Sequence, residues 1–410
     1  MTRSSIKIAY IHNIKYPSAF ANAIQAIKTA SALSTLSDTT FFMPGLKTSK
    51  SELKEIYDIS TTPLHLQSMY LDKLPDRVKL KIENCYERFL SIYLQVHPKW
   101  AGFRGKKVLF VRTLEELLFW GLKRESSKWL KDWNFIFEAH DALGLDPSEF
   151  GSANPFDLKA GTESQYRQRL LTALRSFDHV VCVTQALADD LASWTDHAIQ
   201  PQVVNHASFL PHLEAPPQIA FGENIVLGYI GTIDRFRGVD ILLNAMKYLP
   251  QNYKLRLVGR LRHEEEGGSD WFDTYMKNPI IKSKVEYVPA VPIKEVAGEI
   301  DRCHILLQPA SNDAMYSRYA SPLKGYDPMM RGKPILAADI PGHHDLYNNG
   351  KSASFYRLDP HSLAESITDL VNNPDHAEKI ARAGWEQAAE YTYLRRAEKI
   401  ISLVEGHSGK

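Results

Sequence analysis

The chain of 410 residues has little that would cross-link it or anchor it in a bilayer. Its three cysteines, Cys85, Cys182 and Cys303, are far apart and form no C-x-x-C pair. This pattern is typical neither of a disulfide framework nor of a zinc site. No apolar run approaches the roughly 18 residues that span a membrane, and the N-terminus lacks the apolar core of a signal peptide. We therefore expect a cytoplasmic protein.

The sequence also lacks an excess of either charge, with 49 Lys and Arg against 48 Asp and Glu. Proteins that bind a polyphosphate backbone usually have a clear basic excess, so the composition disfavours nucleic acid as a partner. Hydrophobic residues at 44% and charged residues at 24% are typical of globular proteins. They exclude disordered, collagen-like and coiled-coil classes.

Short apolar runs alternate with helical patterns along most of the chain, which predicts an α/β architecture with parallel sheets. In the first half, strands are predicted at 6–12, 108–112, 135–140, 179–184 and 202–206. In the second half, they are predicted at 225–230, 254–259, 285–288, 304–308, 334–338 and 353–356. Residues 47–100 show no convincing strand, and residues 361–404 are predicted to be helical.

Two helix starts have recognisable capping residues. Ser18 is the predicted N-cap of a helix over residues 19–33. Thr113 and Glu116 stand three residues apart before an apolar run, which predicts a capping box.

A proline-rich stretch divides the chain. Three prolines within residues 211–217 suit neither a helix nor a central strand. We predict Rossmann-like domains at 1–212 and 223–385, with a linker at 213–222 between them. Residues 386–410 are predicted to form a helical segment that packs back on the first domain. Since doubly wound sheets bind ligands beyond the carboxyl ends of their strands, the expected site is the cleft between the two domains.

The loops after these strands carry five motifs in a defined order. In the second half they are residues 228–232 (GYIGT) with 237–243 (RGVDILL), 321–324 (SPLK) and 332–342 (GKPILAADIPG). In the first half they are residues 137–141 (FEAHD) and 18–25 (SAFANAIQ). Together these motifs resemble those of the family 4 glycosyltransferases, and the likeness covers most of the chain except residues 34–105.

The resemblance implies a GT-B fold, in which two Rossmann-like domains face each other across a cleft and the second holds a sugar nucleotide. It implies a retaining, metal-independent hexosyltransferase with no cofactor, for which a UDP-sugar is the favoured donor. The acceptor would be a glycan, a glycolipid or a small molecule. Without a metal, the diphosphate leaving group needs Arg, Lys or backbone N–H groups, and Arg237 and Lys324 suit that task. The alternative is that both are ordinary surface cations.

Matched positions give the remaining candidate residues. By resemblance, His140 contacts the donor sugar and Asp327 holds the ribose hydroxyls. The other donor-binding candidates are Gly231, Thr232, Arg235, Ser321, Pro322 and Leu323. Structural alternatives stay open, because His140 also fits a hydrogen-bonded core histidine. Asp327 followed by Pro328 also fits a helix N-cap with proline at N1.

Three positions depart from the family pattern. Tyr319 replaces the first of two glutamates, and Thr232 stands where many relatives have an arginine, for which Arg235 is the expected substitute. The loop at residues 13–18 lacks paired glycines. These departures motivate a second hypothesis, a catalytically weakened sugar-nucleotide-binding protein or partner subunit. A third, sugar-nucleotide epimerisation, would need an acid/base carboxylate pair that the sequence does not display.

Two further clusters have competing interpretations. A basic and aromatic cluster fits either an exposed loop or peripheral contact with an anionic membrane at the inner face, as for a lipid-linked acceptor. Its members are Lys99, Trp100, Phe103, Arg104, Lys106 and Lys107.

His343, His344 and Asp345 suggest metal ligands, but adjacent helical side chains diverge by about 100°. This favours a helix N-terminus after Pro341.

Overall fold

The computed structural model describes residues 5–18, 20–69, 85–140, 143, 163–262, 271–312, 314–319, 323–347 and 350–406. The chain divides into unit 1, Met1–His206 with Tyr393–Lys410, and unit 2, Ala207–Thr392. The predicted linker at 213–222 lies inside unit 2, and the chain returns to unit 1 at Tyr393 rather than at residue 386.

Unit 1 contains a parallel sheet in the order β3-β2-β1-β4-β5-β6-β7. Its strands are β1 (Ile6–Ile11), β2 (Asp38–Met43), β3 (His65–Ser68), β4 (Lys106–Val111), β5 (Trp133–Ala139), β6 (His179–Cys182) and β7 (Gln202–Val203). Every residue of β1 is buried, as expected for a central strand covered on both faces. The prediction that residues 47–100 lack a strand is wrong, because β3 pairs with β2. Its sequence HLQS has no apolar run by which an edge strand would be recognised.

The helices of unit 1 mostly connect these strands. They are α1 (Ala21–Leu36), α2 (Lys50–Ile56), α3 (Cys85–Val96), α4 (Pro98–Ala101), α5 (Leu114–Ser126), α6 (Glu163–Arg175) and α7 (Gln185–Trp194). The N-cap of α1 is Phe20, so the prediction of Ser18 is wrong. The capping box of α5 is confirmed, with Thr113 Oγ1 accepting from Glu116 N at 3.3 Å and Glu116 Oε2 accepting from Thr113 N at 3.1 Å.

Unit 2 contains a parallel sheet in the order β10-β9-β8-β11-β12-β13. Its strands are β8 (Ile225–Ile230), β9 (Tyr253–Val258), β10 (Val285–Val288), β11 (Ile305–Gln308), β12 (Ile335–Ala338) and β13 (Ser354–Tyr356). The six strands predicted for this half are confirmed. Counted within the unit, the order is the 3-2-1-4-5-6 of the Rossmann fold, which favours a ligand site beyond the carboxyl ends of β8 and β11.

The helices of unit 2 cover both faces of its sheet. They are α8 (Val239–Ala245), α9 (Trp271–Met276), α10 (Pro279–Lys284), α11 (Ile293–Asp301), α12 (Ala314–Tyr319), α13 (Leu323–Met330), α14 (Pro341–Leu346), α15 (Pro360–Asn372) and α16 (Pro374–Ala388). Leu243 and Leu363 pack in the core on one face, and Met329 packs in the core on the other. Burial of each such side chain contributes about 1.5–3 kcal/mol. Asp327 and Pro328 lie inside α13, so the N-cap interpretation of Asp327 is wrong.

The last helix, α17 (Tyr393–Glu405), belongs to unit 1. Together with α15, α16 and a 3-10 turn at Ala389–Tyr391, it covers nearly all of residues 361–404. The predicted helical tail is therefore observed. Ala397, Ile400 and Val404 pack in the core of unit 1 together with residues of α1 and β1.

Candidate functional site

The carboxyl end of β8 carries a group of charged and hydroxyl side chains. Lys324 Nζ donates to Tyr229 Oη at 2.6 Å, and that hydroxyl donates to Thr232 O at 2.7 Å. Asp234 forms an ion pair with Arg237 and accepts from its backbone N at 2.9 Å. The unit 2 cluster, as we name this group, consists of Tyr229, Gly231, Thr232, Asp234, Arg237 and Lys324.

Two glycines permit the close packing of this cluster. Gly231 has φ +154°, and a Cβ there would lie 3.0 Å from Lys324 Cδ. Gly238 has φ +75°, and a Cβ there would lie 2.2 Å from Ala310 O. A side chain at the first position would crowd the lysine, and one at the second would collide with the backbone after β11. Both positions therefore require glycine.

The electrostatics of the unit 2 cluster favour an anionic ligand. Burial and, to a smaller extent, the positive charge of Arg237 lower the pKa of Lys324 to about 7, while Asp234 opposes the shift. The cluster thus holds two cationic groups beside one carboxylate. An anion placed between the cations would relieve their repulsion and raise the pKa of the lysine again. A planar guanidinium and a compact ammonium together suit the oxygens of a diphosphate.

The other predicted donor-binding residues of unit 2 have varied positions. Arg235 is exposed, and its carbonyl oxygen accepts from Gly238 N at 2.8 Å. Leu323 is the first residue of α13. Ser321 and Pro322 lie outside the described residues.

Asp327 is placed differently from the expected ribose-binding residue. Its side chain is buried, with 6% of the residue exposed. Its Oδ1 accepts from Ser208 Oγ at 2.5 Å and from Phe209 N at 3.1 Å. Burial raises the pKa of Asp327 to about 6. The carboxylate joins α13 to the segment by which the chain enters unit 2, which favours a structural role.

His140 directly follows β5 in unit 1 and lies among charged groups. Its Nε2 is 2.7 Å from Glu138 Oε1 and accepts from Arg112 Nε at 3.2 Å. The second oxygen of Glu138 pairs with Arg396 of α17. The ring of His140 stacks on that of His206, with centroids 5.3 Å apart. We call these five residues the His140 network.

Charges within the His140 network are paired with one another. Burial alone would raise the pKa of Glu138, but Arg396 and Arg112 hold it well below its usual value. Burial lowers the pKa of His140, and the charge of Arg112 lowers it further. The hydrogen bond with Glu138 opposes this shift. The neutral form of the imidazole is therefore favoured, and its Nε2 lies within hydrogen-bond distance of both Glu138 and the guanidinium group of Arg112.

Several members of these clusters are not identified by the sequence motifs. Glu138 has a recognisable signal, because a carboxylate inside an apolar strand is rarely buried without a partner. Arg396 has no such signal, since it lies in an ordinary amphipathic helix. Glu116 is predicted only as a cap, yet it also accepts from Asn13 N and Arg112 N at 2.9 Å each. Burial raises its pKa to about 7.

The members of the basic and aromatic cluster differ in exposure. Trp100 is 1% exposed and stacks on Trp133, so its indole ring is not available to a membrane. Arg104 and Lys106 are exposed, and Lys106 Nζ donates to Val404 O at 2.9 Å. Membrane contact by the cluster as a whole stays a prediction. Among the helices of the described ranges, none is long and apolar enough to cross a membrane.

The two adjacent histidines lie in α14 and have different partners. His343 Nδ1 is 2.8 Å from Ala338 O, and His344 Nε2 is 2.6 Å from Asp339 Oδ1. The histidines therefore lie near a helix N-terminus, as interpreted from the sequence, but the helix begins at Pro341, with Ile340 at its N-cap, rather than after it.

Comparison with known proteins finds a family match in the second half of the chain. Residues 214–387 match the family model described as glycosyl transferases group 1. An uncharacterized glycosyltransferase of Methanocaldococcus jannaschii is 24% identical over 166 residues, 40% of this chain and 43% of that protein. The D-inositol 3-phosphate glycosyltransferase of Corynebacterium urealyticum is 21% identical over 184 residues, 43% of this chain and 42% of that protein. The chain thus spans less than half the length of these curated relatives.

The fold has counterparts among solved structures. The Anabaena protein HepE, solved in complex with UDP and glucose, superimposes with a TM-score of 0.68 at 14% identity, covering 98% of this chain and 99% of HepE. Together with the two parallel sheets, this likeness confirms the predicted GT-B fold class.

Proposed function

We propose that this chain, whose residues 214–387 match the family model of the glycosyl transferases group 1, transfers a sugar from a nucleotide diphosphate sugar to an acceptor. The observation that carries the proposal is that two cationic side chains, Lys324 and Arg237, lie close enough for their charges to interact, next to the turn at Gly231 that follows β8. UDP is the proposed nucleotide, supported by the complex of HepE with UDP and glucose.

The unit 2 cluster would act on the leaving group. When the bond between the sugar and the diphosphate breaks, negative charge develops on the diphosphate oxygens. Lys324 and Arg237 would stabilise that charge, and they are held in position before the reaction by Tyr229 and Asp234 respectively. Such preorganised donors accelerate a reaction because they need not reorient as charge develops.

His140 would contact the donor sugar, as the resemblance implies. The Nε2 atom of the imidazole contacts both Glu138 and Arg112, so its orientation is set by the rest of the His140 network. A neutral ring can take part in hydrogen bonds to sugar hydroxyls without adding charge. We further propose that the transferred sugar is a hexose, that its anomeric configuration is retained, and that no metal ion is needed. The acceptor would be a glycan, a lipid-linked sugar or a small molecule.

Replacement of Lys324 tests the function. In Lys324→Ala, we expect turnover of UDP-glucose to fall about 10²–10³-fold, the loss typical of removing one preorganised donor. The matched control is Lys247→Ala, which removes an exposed lysine whose Nζ donates to Asn244 at 2.8 Å. Transfer and slow donor hydrolysis are followed by release of UDP, and folding by thermal unfolding. Unchanged turnover in a folded Lys324→Ala protein would contradict the proposal.

A sugar-nucleotide-binding protein without turnover is the second candidate. It is favoured by Tyr319, a buried tyrosine at the end of α12 in place of an expected carboxylate. Binding of UDP by calorimetry, with neither transfer nor hydrolysis of any UDP-sugar, would support this candidate over the enzyme.

A further inference from the structure

The edge of the unit 1 sheet contains a cavity that the proposed transfer reaction does not use. Its volume is about 440 Å³, and it lies where β2 and β3 meet α2, α3 and α4. We infer that this cavity binds a phosphoryl group of an anionic ligand. The residues on which the inference rests are Thr40, Lys50, Lys54, His65, Tyr93 and Lys99.

The charge of the lining favours an anion. Three lysines and one histidine line the cavity, and the described residues of its wall include no carboxylate. Lys54 Nζ donates to Thr62 O at 3.1 Å, which leaves two of its three N–H groups for a ligand. Lys50 is exposed at the start of α2.

One carboxylate outside the wall contacts two of the basic groups that line the cavity. Asp38 pairs with Lys7 at 2.7 Å, while Lys99 Nζ is 3.7 Å from Asp38 Oδ1 and His65 Nε2 is 3.9 Å from it. One carboxylate is thus shared by two lysines and a histidine. The lysines of α2 add further positive charge, so the cavity is cationic before any ligand enters.

A buried hydroxyl provides an independent sign of a ligand. Thr40 lines the cavity and is only 5% exposed, and its Oγ1 has no hydrogen-bond partner among the described residues. Buried polar groups almost always have a partner. A phosphoryl oxygen in the cavity would accept hydrogen bonds from the lysine ammonium groups and, once the threonine side chain turns its hydroxyl into the cavity, from Thr40 Oγ1.

A phosphoryl group of this kind occurs both on small soluble molecules and on lipid headgroups. The helix α3, which contributes Tyr93 to the wall, exposes Phe89, Ile92 and Val96 by 42%, 58% and 66%. Their spacing places them on one face of the helix. The experiment therefore includes both a soluble probe and a membrane probe.

The test uses the full chain carrying Lys324→Ala and Arg237→Ala, so that the unit 2 cluster contributes no phosphate binding. Glycerol 3-phosphate is titrated by calorimetry. Vesicles of phosphatidylglycerol with phosphatidylcholine are compared, by sedimentation, with vesicles of phosphatidylcholine alone. We expect binding in at least one arm, and a loss of about tenfold or more in affinity, equivalent to 1.4 kcal/mol, when Lys50→Glu and Lys54→Glu are added.

The matched control reverses two exposed lysines elsewhere in unit 1, Lys128→Glu with Lys131→Glu, and should leave binding unchanged. Thr40→Val removes the hydroxyl at nearly constant volume, so it should keep the fold and weaken binding. Binding of glycerol 3-phosphate would identify a soluble ligand, and binding of the anionic vesicles alone would identify a headgroup. Failure of both probes, or an equal loss in the control, would overturn the inference. Neither result depends on turnover, so the proposed function is tested separately.

Discussion

The unit 2 cluster and the His140 network are built in opposite ways. Five of the six members of the unit 2 cluster lie within residues 229–237, and only Lys324 comes from elsewhere. The His140 network is assembled from the ends of β4 and β5, from His206 and from α17. One cluster is local in sequence, and the other is brought together by the tertiary fold of unit 1.

Their charges also differ in arrangement. Lys324 donates to a hydroxyl rather than to a carboxylate, and its pKa is lowered. The cation is therefore ready to receive an anionic ligand. In the His140 network, both arginines are paired directly with an oxygen of Glu138 inside the core. The arrangement in the unit 2 cluster suits the binding of an anion, and the arrangement in the His140 network suits holding the His140 side chain in place.

The largest effect is expected on the stability of unit 1. Glu138→Gln removes the carboxylate with which Arg112 and Arg396 both pair, and breaking a buried ion pair on one side typically destabilises by about 3–5 kcal/mol. We expect the urea midpoint and the melting temperature to fall accordingly. The matched control is Glu398→Gln, also a partner of an arginine of α17, at 2.9 Å from Arg395. Because that pair is exposed, its loss should change stability by less than about 1 kcal/mol. Equal effects of the two variants would show that the network does not hold unit 1 together.

The second effect concerns the pH dependence of nucleotide binding. The pKa of Lys324 is about 7 in the free protein, so the lysine is charged below that pH and neutral above it. A bound diphosphate favours the charged form, and binding must take up a proton above pH 7. The dissociation constant for UDP should rise about tenfold per pH unit above 7. Calorimetry in buffers of different ionisation enthalpy measures the proton uptake. Lys324→Met should abolish both the proton uptake and the pH dependence of the dissociation constant. A flat profile in the unaltered protein would contradict the assignment.

A smaller effect is expected from the hydroxyl that positions the lysine. Tyr229→Phe removes the group that accepts from Lys324 Nζ and donates to Thr232 O. We expect kcat to fall about tenfold, since one hydrogen bond to a charged group contributes about 1.5–3 kcal/mol. The value of KM for the donor should change less. Tyr248→Phe, which removes an exposed hydroxyl in the same unit, is the control. A fall in stability without a change in kcat would assign Tyr229 a structural role only.

The two halves of the chain differ in how much of them could be predicted. The six strands of unit 2 are either apolar runs or stretches in which apolar residues recur between charged ones, and the glycines and cations of its cluster lie in contiguous motifs. The sequence therefore predicts both the sheet and most of the cluster. In unit 1, the edge strand β3 is short and polar, so periodicity does not identify it. Its position depends on pairing with β2, which is a tertiary effect.

The candidate residues follow the same rule. His140 is predicted because it lies in a strand-end motif, whereas Arg396 acts on Glu138 from a helix 258 positions away in sequence. Asp327 illustrates the opposite error. It occupies a motif position, but its partners Ser208 and Phe209 are distant in sequence, so the motif alone cannot show that the carboxylate is already hydrogen-bonded.

The smallest effect is expected at Asp327, and it distinguishes a structural carboxylate from a ribose-binding one. The folded-state pKa of about 6 lies above the ordinary value of 3.8 because of burial. The protonated form therefore stabilises the fold below pH 3.8, and this contribution is lost as the pH rises through about 6. Asp327→Asn removes the buried charge and keeps an oxygen that can accept from Ser208 and Phe209. Its stability at pH 7 should therefore be equal to or higher than that of the unaltered protein, whereas Asp327→Ala, which leaves Ser208 and Phe209 without their acceptor, should lose about 1–3 kcal/mol.

Nucleotide affinity provides the decisive measurement on these two variants. A structural Asp327 predicts that Asp327→Asn binds UDP as tightly as the unaltered protein, because no ribose hydroxyl depends on the charge. A ribose-binding Asp327 predicts weaker binding of UDP with unchanged stability, since an amide oxygen is a weaker acceptor than a carboxylate. The latter result would return Asp327 to the donor site and would mean that motif position outweighs the hydrogen bonds to Ser208 and Phe209.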